Sequence, residues 1–172
     1  EANVYCEILP FDTDIETIKA KNPKGIILTG GPYNAYEEGA PLPTAEVFEL
    51  GIPVLGICYG LQSMSHVLGG TIDRAEKREY GAQSISLTDA PVFKGLNKEN
   101  SCWMSHTNQV GTLPEGFVSI AHTASCANAA VMNEAKRFFG VQFHPEVEHT
   151  PFGQEMLRQF LFDICGCSGD WQ

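Results

Sequence analysis

The chain has 172 residues, 43% of them apolar and 19% charged, the balance of one globular domain with a full core rather than of a disordered segment or two domains. Its 21 Asp and Glu against 11 Lys and Arg give a formal charge of −10. No cluster of Lys and Arg marks a phosphate-tracking groove, so nucleic-acid binding is not expected. No apolar run approaches the roughly 18 residues of a membrane helix, and no basic start leads into an apolar signal core. No membrane partner is expected, the setting reads as cytoplasmic, and the acidity reads as a solubility device rather than a docking face.

In chain order, residues 3–9 (NVYCEIL) read as a strand and 14–21 (DIETIKAK) as a short amphipathic helix capped by Asp12 or Thr13. The apolar run 25–29 (GIILT) fits a strand buried on both faces, broken by the loop signal Gly30-Gly31-Pro32. Residues 32–43, with three prolines and Gly39, read as a long ordered loop, and 44–50 as a helix capped by Thr44. PVLGI (53–57) is a second buried strand leading directly into Cys58. Residues 59–68 then form a helix with Leu61, Met64 and Leu68 on one stripe, stopped by Gly69-Gly70.

This alternation predicts an α/β domain, an open and mostly parallel sheet flanked by helices. After Gly70 the texture changes. Residues 83–88, 117–122, 128–133 and 138–143 read as strands joined by short turns, a smaller antiparallel or mixed extension. Thr150-Pro151 opens a last helix, with proline at its first position and a stripe of Phe152, Met156, Leu157, Phe160, Leu161 and Ile164, ended by Gly166. No repeat or linker divides residues 1–172, which read as one domain.

Six cysteines stand at 6, 58, 102, 126, 165 and 167. Disulfide frameworks belong to small secreted chains without a core, and zinc sites favour Cys-x2–4-Cys pairs, whereas Cys165 and Cys167 are separated by Gly166 alone. Reduced thiols and no metal are expected.

One of these cysteines is set apart by its neighbours. Gly56-Ile57-Cys58-Tyr59-Gly60 places a thiol at a strand–helix turn, the cysteine counterpart of the G-x-S-x-G nucleophile elbow. Flanking glycines permit the sharp turn and a close approach of strand and helix. The turn exposes the sulfur at the carboxyl end of the sheet, where a helix N-terminus favours thiolate. A buried cysteine in a glycine-rich turn is the plainer reading, until Phe143-His144-Pro145-Glu146 is set beside it. There an imidazole also follows an apolar strand, with Glu146 placed to set its tautomer. Thiol, imidazole and carboxylate are the parts of nucleophilic acyl transfer with proton return to the leaving group. The backbone N–H of Tyr59 and one from Gly30-Gly31 are candidate oxyanion donors. Gln62, one helical turn beyond Cys58, is placed either to meet a polar group of a substrate or to face solvent.

TGGP (29–32), GICYGLQ (56–62) and GVQFHPEVEHT (140–150) together resemble the class I, triad-type glutamine amidotransferases, over essentially the whole chain. The resemblance implies a flavodoxin-like α/β fold and hydrolysis of glutamine to glutamate and ammonia through a glutamyl thioester. It implies Cys58 as nucleophile, His144 as general base and acid, and Glu146 as its orienter. Gly31 and Tyr59 match oxyanion-hole positions, and Gln62 matches a glutamine-binding position. Ser105, His106 and Thr107 match a segment whose backbone holds substrate; many relatives have glycine in place of Thr107.

VYCEILPFDT (4–13), REYG (78–81), CWMSHT (102–107), EVEHTPFGQ (146–154) and FLFDICGCSGDW (160–171) most resemble the amidotransferase domains of GMP synthetases. That resemblance implies a partner ATP-pyrophosphatase synthetase domain or subunit, where the ammonia aminates xanthosine monophosphate. ATP and Mg are then expected only in that partner and no cofactor in this domain, with homodimerisation through a longer enzyme an open option. The alternatives are another ammonia acceptor (carbamoyl phosphate, CTP or anthranilate synthesis) or an inert amidotransferase-like scaffold. Members of the family begin with a strand and helix ahead of VYCE, so the chain is expected to lack roughly 25 residues of one strand and one helix. It is also expected to lack the synthetase domain.

Overall fold

The computed structural model describes residues 4–29 and 42–169, with backbone only for 76–79. Seven strands form one sheet: β1 (Ile26–Leu28), β2 (Val54–Ile57), β3 (Ile72–Leu87), β4 (Glu99–Val110), β5 (Val118–His122), β6 (Ala130–Asn133) and β7 (Phe138–Val141). Their order is β1-β2-β7-β6-β5-β3-β4. β1, β2 and β7 run parallel, whereas every pairing from β7 outward to β4 is antiparallel. The α/β class stands, but among the described residues the antiparallel part is the larger one. Sequence reading caught only the last five residues of β3 and none of β4. Both carry enough polar residues (DRAEKRE, ENS) to mimic surface loops. Pairing along most of their length gives a long hairpin with one irregularity between Arg74 and Glu79.

Around the sheet lie α1 (Ile15–Ala20), α2 (Tyr59–Val67) and α3 (Gly153–Gln159). Asp14, rather than Asp12 or Thr13, caps α1, its carboxylate accepting from the Thr17 N–H at 2.7 Å. Thr44 caps a 3-10 turn, Ala45–Glu49, where a helix was expected. The terminal helix starts at Gly153 rather than at Pro151 and continues as a π-helical turn, Phe160–Ile164. The Thr150 hydroxyl is turned outside the helix, accepting from the Trp103 N–H at 2.9 Å.

β2 and β7 are buried along their whole length, as continuous apolar runs in a parallel sheet should be. They divide the core in two. On one side Leu55, Ile57, Met104, Phe139, Phe143, Met156 and Phe160 pack together; on the other Val54, Leu61, Met64, Val131 and Phe138 do. α2 is buried from Tyr59 through Ser65, not along one stripe only, and Leu68 at its end is half-buried.

Two expectations fail at the β1 edge. Residues 4–10 form no strand: Tyr5 is 59% and Ile8 95% exposed. A short apolar run makes a strand only where a neighbour satisfies its backbone groups. β1 is not buried on both faces either, Ile27 being 38% exposed. A cavity of about 760 Å³ runs beside it, lined by Leu9, Phe11, Ile26, Leu28, Phe160 and Cys165. Of the two closely spaced thiols, Cys165 is pushed up to about 12, chiefly by burial. The loop expected over 32–43 lies for the most part outside the described residues, as does Gly31.

Candidate active site

Cys58 stands between β2 and α2 with φ 54° and ψ −110°, a backbone conformation that L residues seldom adopt. Three fixtures hold it there. Its N–H donates to the Val141 carbonyl at 2.7 Å, extending the β2–β7 pairing by one residue, and its own carbonyl accepts the first α2 bond from the Gln62 N–H at 3.2 Å. The third fixture is close packing. A Cβ on Gly60 would overlap the Leu28 carbonyl of β1, and one on Gly56 would lie 2.7 Å from the Gly60 oxygen. The two glycines of the motif therefore press strand, turn and helix together more tightly than alanine allows. Cys58 is 8% exposed at the carboxyl end of the parallel strands, buried rather than opened to solvent as its turn alone implied.

His144 reaches the same point from β7. Its Nδ1 lies 2.7 Å from Glu146 Oε1, so the carboxylate fixes that nitrogen as the protonated one and leaves Nε2 for the sulfur. The intervening Pro145 is buried and its carbonyl is packed so closely on Gly153 that a Cβ there would overlap it. Hydrogen bonding to Cys58 raises the imidazole to about 9; desolvation opposes this rise and Glu146 adds to it. Such a shift favours the charged form of the imidazole.

What docks the histidine loop is the outer edge of β4. Trp103 has both backbone groups turned away from β3. Its carbonyl accepts from the His144 N–H at 3.1 Å and its N–H donates to Thr150 Oγ1 at 2.9 Å. Two residues on, the Ser105 carbonyl lies 3.8 Å from Cys58 Sγ. The Trp103 indole stacks on the His149 ring at 4.7 Å between centroids. One strand edge thus touches the sulfur and holds the loop that carries the imidazole.

A family model described as glutamine amidotransferase class-I matches residues 1–164. The chain belongs to the class-I glutamine amidotransferase family. The GMP synthase [glutamine-hydrolyzing] of Acetivibrio thermocellus is 59% identical over 173 residues, taking in 100% of this chain and 34% of that protein. That of Clostridium tetani is 54% identical, over 99% of this chain and 34% of its own length. The chain therefore spans about a third of the length of the curated relatives it matches. Among solved structures, a putative GMP synthase subunit from Thermoplasma acidophilum superposes with a TM-score of 0.82 at 31% identity. The match covers 92% of this chain and 80% of that one.

The remaining residues that the amidotransferase motifs singled out are placed as follows. Tyr59 is the first residue of α2, its N–H next to the nucleophile at a helix N-terminus. Gly31 lies outside the described residues. Gln62 is 4% exposed, and its side chain is neither solvated nor presented outward: Nε2 donates to the Asn108 carbonyl at 3.0 Å and to Gln142 Oε1 at 3.3 Å. Of the two placements open to it, facing solvent is ruled out: the tight start of α2 turns that face of the helix into the protein. His106 points inward too, 5% exposed with Nδ1 2.9 Å from the Asn108 carbonyl, and of this segment it is the Ser105 carbonyl that lies beside the thiol. Sequence reasoning missed Gln142, Trp103 and Thr150. Gln142 left one signal, a lone amide inside the apolar run FFGVQF.

Proposed function

We propose that this chain is the glutaminase part of a GMP synthase. It would release ammonia from glutamine for use by an ATP-dependent synthetase domain that aminates xanthosine monophosphate to guanosine monophosphate. The observation that carries this reading is the convergence on one buried sulfur of an imidazole already hydrogen-bonded to a carboxylate. The identity of the whole chain to glutamine-hydrolysing GMP synthases supports the choice of acceptor.

In this mechanism the Cys58 thiol proton passes to His144 Nε2, and the thiolate attacks the side-chain amide carbon of glutamine. The tetrahedral oxyanion is held by the N–H groups of Tyr59 and Gly31. Backbone groups of Ser105, His106 and Thr107 hold the amino-acid end of the substrate. The imidazolium returns its proton to the departing nitrogen as the C–N bond breaks, leaving a γ-glutamyl thioester and ammonia. Water, deprotonated by the now neutral imidazole, adds to the thioester. The C–S bond breaks, the sulfur leaves as thiolate, and glutamate is released. Glu146 keeps the imidazole in one tautomer and stabilises its charged form. The half-reaction calls on no cofactor in this domain; ATP and Mg²⁺ are assigned to the synthetase partner.

The test is ammonia release from glutamine by the chain and by Cys58→Ala. Loss of release on substitution is expected, with ammonia-dependent synthesis intact where the synthetase partner is present. Glutaminase activity retained by Cys58→Ala would end the assignment.

A further inference from the structure

We infer that Gln142 is a further catalytic residue, whose side-chain amide donates a hydrogen bond to the Cys58 thiolate and is aimed at it by a relay of two amides anchored on a backbone carbonyl. The inference rests on the glutaminase reading of the site above.

The polarity of the relay follows from its anchor. The Asn108 carbonyl can only accept. The end of the Gln62 side chain that meets it at 3.0 Å is therefore the NH2 group. A second hydrogen of that NH2 points to the near end of Gln142 at 3.3 Å, which must then be the carbonyl oxygen. The far end of Gln142 is left as NH2, and it lies 3.4 Å from Cys58 Sγ. Reversing Gln142 would set its oxygen against the sulfur and two NH2 groups against each other. One carbonyl on β4 thus fixes which end of a side chain just beyond β7 faces the nucleophile. His106, whose Nδ1 shares the Asn108 carbonyl at 2.9 Å, holds the same anchor.

Burial gives the relay its effect. Gln142 is fully buried and Cys58 nearly so, so little water competes for the sulfur and a hydrogen bond to its charged form is strengthened. Fully burying a glutamine in the core has a cost unless both ends of its amide are engaged, and here neither end is left without a partner. The other neighbour of the sulfur works in the opposite sense: the Ser105 carbonyl, 3.8 Å away, can accept only from the neutral S–H. His144 and Gln142 favour the thiolate from two other sides, one as proton acceptor and one as a permanent donor that never titrates. Gln142 therefore keeps a donor on the sulfur after His144 has given its proton to ammonia, when the thioester must break and thiolate must leave. Its register makes this placement inevitable: Ile57 pairs with Val141, which brings Cys58 and Gln142 side by side at the ends of parallel strands.

The experiment compares Gln142→Met and Gln142→Glu with the unsubstituted full chain. It measures the pH dependence of Cys58 alkylation by iodoacetamide, located by peptide mass spectrometry, together with kcat and KM for ammonia release. Loss of the donor is expected to move the pH midpoint of Cys58 alkylation upward by about 1 unit and to lower kcat about tenfold or more. KM should stay within about twofold, because Gln142 touches sulfur and not substrate. Glu is close to Gln in shape but sets an acceptor against the sulfur. It should do at least as much harm as Met, whereas a residue that merely fills space would make Glu the milder change. A Gln142→Met chain with an unmoved midpoint and unmoved kcat would overturn the inference. A third measurement needs no variant: the side-chain amide resonances of Gln142 should follow Cys58 ionisation, and resonances unaffected by it would also overturn the inference. If the unsubstituted chain releases no ammonia, the glutaminase reading fails by itself, and the alkylation profiles still decide whether Gln142 serves the thiolate.

Discussion

Replacing Gly60 by alanine tests whether the close packing under the nucleophile sets its position. In an ordinary helix this change stabilises by roughly 0.8–1 kcal/mol, since glycine loses the most backbone freedom on folding. Here the added methyl would overlap the Leu28 carbonyl oxygen and lie 2.6 Å from its carbon and 3.0 Å from its Cβ. These are backbone and near-backbone atoms of β1, which cannot rotate away, so strand or helix must shift by about 1 Å to restore ordinary contact. Such overpacking costs about 1–3 kcal/mol, which offsets the helix gain and leaves a net loss of up to about 2 kcal/mol. For a chain of this length that corresponds to a fall in melting temperature of up to about 8 °C. The larger effect falls on chemistry. Cys58 is bonded to both elements that move, and displacing reacting groups by about 1 Å can lower rates about 100-fold. Thermal unfolding monitored by circular dichroism, beside ammonia release from glutamine, reads both. A Gly60→Ala chain that melts higher and keeps its full rate would refute the reasoning, by showing that β1 does not brace the turn.

The raised pKa of His144 gives a pH prediction whose sign is fixed. Its imidazolium is held up to about 9, so glutaminase activity should fall as pH rises through that value, when the proton for departing ammonia is lost. The same linkage adds to fold stability below the unfolded value near 6.5 and is lost as pH climbs through about 9. Glu146→Gln removes one contributor to that rise, so the alkaline limb of the pH–rate profile should move to lower pH. An unmoved limb would contradict the role given to the carboxylate. Thr150→Val should leave the Trp103 N–H without the hydroxyl it meets at 2.9 Å. A loss of about 1–3 kcal/mol is expected, with reduced ammonia release because Trp103 also holds His144; equal melting and equal rate in both chains would argue against that clasp. Without its synthetase partner the domain should be a slow glutaminase, since coupled sites are completed by partner-driven closure. A rate unchanged on adding the partner domain would count against the coupling.

How much of this was legible in the sequence depended on what kind of neighbour each residue answers to. Gly56, Cys58 and Gly60 announce themselves because their contacts are local: the turn they make is visible in five consecutive residues. His144 and Glu146 are legible for the same reason, lying two residues apart and hydrogen-bonded to each other. The strands β2 and β7 show as unbroken apolar runs because both their faces are covered. β4 does not show, because its polar residues lie on a hairpin whose outer edge binds a loop some 40 residues later. Residues 4–10 mislead in the reverse sense: they are mostly apolar, yet they pair with no strand among the described residues. Gln62 was only partly legible through helical spacing. Counting one turn from Cys58 gives the right face of α2, but nothing local says that β4 and β7 cover it.

The central claim is that Cys58 is an activated nucleophile in a glutamine site, and one labelling measurement addresses it most directly. The chain would be exposed to a glutamine-mimicking electrophile with and without excess glutamine, then digested and mapped by mass spectrometry. One adduct is predicted, on Cys58, suppressed by glutamine and lost in His144→Ala, with Cys6, Cys102, Cys126, Cys165 and Cys167 unlabelled. No adduct on Cys58, or labelling there that glutamine does not suppress, would contradict the account.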